Sequence, residues 1–315
     1  MASPIVPIEC SYDTNGRVIV YYIAARCPTL IDTGGAQHPE GPIQATLQAH
    51  GSELSAIQAV INTHGHWDHA GGNAAVSAAS GAGILIHELG APLLLDHRQH
   101  LDGYLTESAR ALGQPALVAA QHASFPTIFG PETMPNRLLR EDDRIGLGDG
   151  IVFDVIHTPG HSDDSIALWW AEEGVLIAGD AAQGTGSRPG SCPLYFGSIA
   201  QARASIARLR GLPFTTLHTS HFFGLPGHED RVATYDAVSG KAFLDASLAA
   251  LDTMEEALRA ALAASPDDEF PQIARAATEH LVALGRWTVA PDPLTGVPTN
   301  AAPTFYRLWR EIAAE

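Results

Sequence analysis

Short apolar runs broken by glycine, proline and acidic turns fill the first two thirds of the chain, and each run has strand length. Arg17–Ile23 and Thr29–Ile31 predict strands, the second ending in Asp32-Thr33-Gly34-Gly35. Ile43–His50 and then Leu54–Ala59 predict a helix leading into a further apolar run that closes at Val60 and Ile61. Asn73–Ser80 is alanine-rich and predicts a short helix, and Gly83–His87 another strand. This alternation of strands and helices predicts layered α/β structure.

From Ala91 to Arg140 the period changes. Leu93, Leu94, Leu95, Leu101, Leu105, Ala109 and Leu112 recur at helical spacing, whereas Pro115, Pro126, Pro131 and Pro135 predict a broken path after them. The segment reads as a helical and loop insertion. Strands resume at Ile151–Ile156, Ser165–Trp170 and Val175–Ala178, followed by a helix at Ile199–Leu209 and a last core strand at Thr215–Leu217. Beyond residue 228 the pattern is almost wholly helical, with Ala242–Ala264, Phe270–Leu284 and Thr304–Ala314 as the main segments and proline-rich Pro291–Pro303 between the last two. The expected organisation is a layered domain over residues 1–228 and a helical extension over 229–315 packed on it.

Composition narrows the function classes. The 315 residues carry 45% apolar and 17% charged side chains with a formal charge of −17, and Lys241 is the sole lysine among eighteen basic residues. Such a surface repels phosphate backbones, so nucleic acid is not an expected partner. Cys10, Cys27 and Cys192 are too sparse and too odd in number for a disulfide framework. The N-terminus lacks the basic segment and apolar core of a secretory signal, and no apolar run approaches the roughly 20 residues of a membrane span. A cytoplasmic protein without a membrane partner is expected.

Chemistry concentrates at strand ends. Directly after Val60 and Ile61 the chain reads Asn-Thr-His-Gly-His-Trp-Asp-His-Ala-Gly-Gly, placing His64, His66, Asp68 and His69 within six residues. Imidazoles and carboxylates are the ligands of divalent zinc, iron and manganese, and four this close converge on one place. Other predicted strands end the same way. Ile151–Ile156 runs into His157-Thr158-Pro159-Gly160-His161, Val175–Ala178 into Gly179-Asp180, and Thr215–Leu217 into His218-Thr219-Ser220-His221.

In order, Asp32 in Ile-Asp-Thr-Gly, the His64–His69 cluster, His161 in Thr-Pro-Gly-His, Asp180 in Ala-Gly-Asp and His221 resemble the signature elements of the metallo-β-lactamase superfamily, over about residues 17–225. Within it, Gly160-His161-Ser162-Asp163-Asp164 and the helical C-terminal tail resemble a group that includes quinolone-signal thioesterases and related nucleases, and the glyoxalase II and lactonase branches are similar as well. The resemblance implies an αβ/βα four-layer sandwich with a two-metal site along one edge. It also implies that His64, His66 and His161 hold one ion, that Asp68, His69 and His221 hold the second, and that Asp180 bridges both. Asp32 would stand behind the ligands and fix an imidazole. The last motif departs from the family, because Thr-Ser-His replaces Gly-His and His218 lies three residues earlier; His221 is the expected ligand, as Phe-Phe-Gly follows it.

Two divalent ions, zinc foremost with iron or manganese as alternatives, would share a water and lower its pKa from ~15.7 toward ~7. The resulting hydroxide would attack an ester, thioester or lactone carbonyl of a small molecule, with Asp68 orienting it and passing a proton to the leaving atom. The five imidazoles must be neutral to bind, so activity should fall in acid. Tyr195 with Phe196, and Phe222 with Phe223, are candidate pocket residues, although loop packing is the favoured reading of the first pair and core packing the alternative for the second. Asp163 and Asp164 read first as capping acids, and the remaining histidines lack a partner pattern. The same metals also suit a phosphodiesterase or nuclease, and a mononuclear-iron sulfur dioxygenase is a redox alternative; a basic groove or iron-dependent oxygen uptake would separate these. A scaffold without turnover is the non-enzymatic alternative, and the intact ligand set argues against it. The C-terminal helices offer a packing layer or a homodimer surface.

Overall fold

The computed structural model describes residues 3–12, 16–187, 192–227, 232–288 and 291–315. Its strands are β1 (Ile5–Ser11), β2 (Arg17–Ile23), β3 (Thr29–Ile31), β4 (Ala59–Ile61), β5 (Gly83–His87) and β6 (Arg137–Leu139), then β7 (Arg144–Gly148), β8 (Ile151–His157), β9 (Ile166–Trp170), β10 (Val175–Ile177), β11 (Thr216–Phe223) and β12 (Val232–Asp236). The first six form one mixed sheet in the order β1-β2-β3-β4-β5-β6, and the last six form a second in the order β12-β11-β10-β9-β8-β7. Helices α1 (Gln44–Ala49), α2 (Trp67–Ala70), α3 (Asn73–Ser80), α4 (Ala91–Leu95), α5 (His97–His100), α6 (Thr106–Ala111) and α7 (Pro115–Ile128) lie between strands of the first sheet. Helices α8 (Ile199–Gly211), α9 (Ala237–Ala264), α10 (Phe270–Ala283) and α11 (Ala302–Ile312) follow β10 or the last strands.

Strand alternation makes the layers. On β2, Ile19, Tyr21 and Ile23 face inward, and on β8 and β9 Phe153, Val155, Ile166 and Leu168 meet them, forming an apolar layer between the sheets. The opposite faces feed separate cores. Val18, Val20 and Tyr22 pack with Leu47, Val76, Leu94 and Phe125 of the helices outside the first sheet. Trp169, Leu176, Leu217 and Tyr235 pack with Ile206, Phe243, Ile273 and Phe305 of α8–α11 outside the second. The result is the four-layer αβ/βα sandwich expected from the sequence.

Four strands, β1, β6, β7 and β12, escape the sequence pattern. The last bears on organisation, because β12 pairs antiparallel with β11 and so extends the second sheet beyond residue 228; the 228/229 boundary itself lies outside the described residues. Pro131 and Pro135 lie in the irregular stretch between α7 and β6, as expected, but the other two prolines do not break the insertion. Pro115 starts α7, where its missing N–H costs nothing, and Pro126 lies inside the same helix. Among the described residues no helix is long and apolar enough to cross a membrane.

Candidate metal centre

Parallel pairing brings the chemistry to one edge. β3 and β4 run side by side with Ile31 opposite Ile61, so Asp32 emerges beside the His64 loop. Likewise β10 and β11 are parallel with Ile177 opposite His218, which carries Asp180 toward His221. The two sheets are joined here, the Ile166 amide donating to the Thr63 carbonyl at 2.8 Å and the Tyr21 hydroxyl to the Thr219 carbonyl at 2.6 Å.

Three groups of potential ligand atoms converge, each within 4.8 Å: His64, His66 and His161; His64, His69 and Asp180; and Asp68, His69 and His221. His66 turns Nδ1 to within 2.9 Å of His161 Nε2, and His221 Nε2 lies 3.3 Å from His69 Nε2. Asp180 Oδ2 sits between the two sides, 3.6 Å from His161 Nε2, 3.8 Å from His69 Nε2 and 3.3 Å from His221 Nε2. Asp68 Oδ2 is 3.6 Å from His221 Nε2, and its side chain is the more open one, at 15% exposure.

The far sides of these rings are anchored. His69 Nδ1 lies 2.9 Å from Asp32 Oδ2, while the Thr63 amide and hydroxyl donate to the two oxygens of Asp32, each at 2.8 Å. His221 Nδ1 meets the Arg17 carbonyl at 2.5 Å. His161 Nδ1 lies 2.7 Å from the Leu194 carbonyl and 2.9 Å from Gln183 Nε2. Such contacts fix ring orientation and leave one nitrogen of each ring turned to the common space.

Charge divides the cluster. Burial and the neighbouring imidazoles hold His64 and His66 well below their ordinary range. Burial pushes His69 down too, but the carboxylates of Asp68, Asp32 and Asp180 outweigh it and raise it to about 10. His221 is also raised, Asp180 and Asp68 prevailing over burial. Burial opposes ionisation of Asp180, yet His221 and His69 hold its carboxyl below the usual range. His64 Nε2 and Asp180 Oδ1 are buried with no hydrogen-bond partner among the described residues. Orphaned atoms of this kind are costly, and a divalent cation satisfies both the nitrogen and the carboxylate oxygen. The residues fit a metal.

Of the site residues expected from the sequence, His64, His66, Asp68, His69, His161, Asp180 and His221 are gathered here, with Asp32 behind His69. His218 is elsewhere, its Nδ1 3.0 Å from the Thr234 hydroxyl. Two pocket assignments need correction. Tyr195 is fully buried and donates to the Ala181 carbonyl at 3.3 Å, while its neighbours Leu194 and Phe196 line the cavity. Phe222 packs into the layer between the sheets, and Phe223 lines the cavity instead. The reason is that β11 continues through residue 223, so alternation puts His221 and Phe223 on one face and Phe222 on the other.

Two further residues position the ligands: Asp164, which the sequence offered first as a capping acid and only second as a support behind the ligands, and Gln183, which sequence reasoning missed. Asp164 Oδ2 accepts from the Gly65 amide at 2.7 Å, pinning the turn between His64 and His66; burial raises its carboxyl to about 6. Gln183 accepts from the Leu194 amide through Oε1 at 2.7 Å and so fixes the residue whose carbonyl meets His161 Nδ1. The second Asp of His-Ser-Asp-Asp was the only signal for the first, and nothing marked the second. The cavity over the cluster measures about 170 Å³ and takes Tyr12, Trp67, His100, Phe196, Phe223 and Asn300 into its wall.

Residues 14–221 match the family model described as the metallo-beta-lactamase superfamily, and the chain belongs to that family. Within it, the chain is 30% identical over 176 residues to a hydroxyacylglutathione hydrolase of Rhodospirillum rubrum, an alignment covering 56% of this chain and 51% of that one; it thus spans about half the length of that relative. Against the acyl-coenzyme A thioesterase MBLAC2 of Gallus gallus, identity is 33% over 122 residues, covering 38% of this chain and 40% of that one. A solved metallo-beta-lactamase family protein from Thermus thermophilus shares the fold with a TM-score of 0.71 at 21% identity, over 98% of this chain and 93% of that one.

Proposed function

We propose that the chain is a metal-dependent hydrolase that cleaves an ester, thioester or lactone of a small molecule at a dinuclear centre. One observation carries this reading: His64, His66 and His161 converge on one side of Asp180, and Asp68, His69 and His221 on the other. Those two trios would each hold a divalent ion, zinc by preference for nitrogen-rich tetrahedral sites, with Asp180 shared. Bound there, two such ions supply an acidified water, its pKa brought from ~15.7 toward ~7, and Lewis acidity for a carbonyl oxygen.

The protein's own groups do the rest. Asp32, the Arg17 carbonyl and the Leu194 carbonyl hold three imidazoles in register. Asp68, the carboxylate most open to the cavity, would accept the proton that the attacking water gives up and pass it to the departing atom as its bond to the carbonyl carbon breaks. Trp67, Phe196 and Phe223 wall the space and limit bulk water. The thioesterase relative supports the bond class, and a net charge of −17 disfavours a polyanionic substrate.

The test is metal analysis of the purified protein together with a panel of thioesters, lactones, aryl esters and phosphodiesters, with His66→Ala as the blank. Two equivalents of metal and carbonyl-ester turnover that disappears in the variant are expected. Turnover confined to phosphodiesters, or no metal-dependent turnover at all, sinks the reading.

A further inference from the structure

A second and larger cavity adjoins the metal centre. It measures about 410 Å³, within the range of about 300–1,000 Å³ typical of small-molecule sites. One wall comes from α6 and α7 of the insertion, through Ala109, Leu112, Ala116 and Leu117. The facing wall comes from the segment leading into α11, through Leu294 and Val297, and from the first residues of that helix, Ala302 and Pro303. Leu194, Phe196 and Asn300 line this cavity and the metal cavity alike, so the two meet at those side chains.

Its lining joins aliphatic side chains to uncharged polar ones, among them Ser108, Gln114, Gln121 and Thr299. Among the described residues no lysine, arginine or histidine lines it, and the one carboxylate there, Asp292, is turned into its own loop, accepting from the Leu294 and Thr295 amides at 2.9 and 3.0 Å. Cationic side chains are near but kept apart: Arg307 and Arg310 line a different cavity that also touches Phe196. Leu117 and Leu294, 36% and 77% exposed, leave apolar surface at the rim. A charged head group would enter here without a counterion, whereas a hydrocarbon would cover apolar surface that now faces water.

From this we infer that the cavity between α6–α7 and residues 292–303 is a subsite for an apolar acyl chain whose carbonyl end reaches the metal centre past Phe196 and Asn300. The inference rests on the proposed ester or thioester hydrolysis and adds which half of the substrate the protein selects. The polar leaving group stays outside this cavity.

Two measurements test it on the purified protein. In a series of straight-chain acyl thioesters with one leaving group, from acetyl to dodecanoyl, kcat/KM should rise by about two- to fourfold per methylene until the cavity is filled. Ala116→Trp, which fills the mouth, and Leu117→Asp, which puts a charge on the wall, should each lower the dodecanoyl-to-acetyl ratio of kcat/KM at least tenfold. Dodecanoate binding, read by displacement of an apolar fluorophore, should weaken by a similar factor in both variants. A flat chain-length profile, a ratio unchanged in both variants, or dodecanoate binding indifferent to both overturns the subsite. Chain binding that responds to the variants, without hydrolysis of any acyl substrate, supports the subsite and removes the hydrolytic reading instead.

Discussion

Asp32 holds a φ of 63°, a left-handed conformation that aspartate and asparagine tolerate better than most side chains. That bend turns its carboxylate back along β4, where it accepts from Thr63 twice and reaches His69. Replacement Asp32→Asn keeps the backbone preference but removes the negative charge behind His69. Metal affinity should fall about 10- to 100-fold, as measured by competition with a chromogenic chelator, while the far-ultraviolet circular dichroism stays the same. Unaltered affinity would show that the ring is oriented by packing alone. Asp32 was legible through the family resemblance carried by Ile-Asp-Thr-Gly, its residues alone allowing a turn cap as well. For Asp164 the supporting role was only the lesser alternative to a cap, because its bond to the Gly65 amide joins positions 99 residues apart and no local pattern reports such a partner.

Elements matter here through what they aim. The turn after β8 carries His161, and Gly160 within it has a φ of 146°, with space for a Cβ only 2.5 Å from Ala202 on α8. Gly160→Ala should therefore displace either the turn or the helix, at a cost of about 1–3 kcal/mol. A lower urea midpoint accompanied by weaker metal binding is expected. A loss of stability with full metal affinity would mean that α8 yields and the His161 turn does not. β11 shows the limit of reading elements from pattern. Its apolar run ends at Leu217, yet the strand continues through Phe223: His218 pairs with Ile177 of β10 and Thr234 of β12, and Phe223 pairs with Val232 beyond a register shift. Of the two aromatics that could wall the site, that longer strand gives the cavity Phe223 and the layer between the sheets Phe222.

At the scale of the whole molecule, several histidines are buried away from the metal cluster and shape its response to pH. Burial holds His218 to about 4, and burial together with the stacked ring of His157, 4.1 Å away, holds His87 to about 4. In the unfolded chain these rings take up a proton near pH ~6.5. Between about pH 6.5 and 4 the unfolded state therefore binds more protons, and folding stability must fall as the pH drops. Asp164, raised to about 6, works in the opposite direction over part of the same window. The difference between wild type and His218→Asn is thus the diagnostic quantity. Urea midpoints of the chelator-treated protein at pH 7, 6 and 5 should decline less steeply in the variant. Parallel declines would place the titration elsewhere.

The cluster at His64–His69, and His161, Asp180 and His221 at the ends of later apolar runs, could be read from the chain, because ligand chemistry and apolar runs are both local properties. The place of Asp32 behind the ligands and the choice of His221 over His218 followed from a family pattern whose elements keep their order. Only the tertiary structure decided which atoms face one another, since the parallel pairs β3–β4 and β10–β11 set the distances across the site. It alone joined α6 and α7 to the residues before α11, about 180 positions later, to form the apolar cavity. A binding surface of that kind is a sum of small contributions from distant segments. No one segment carries a signal of it until packing brings them together.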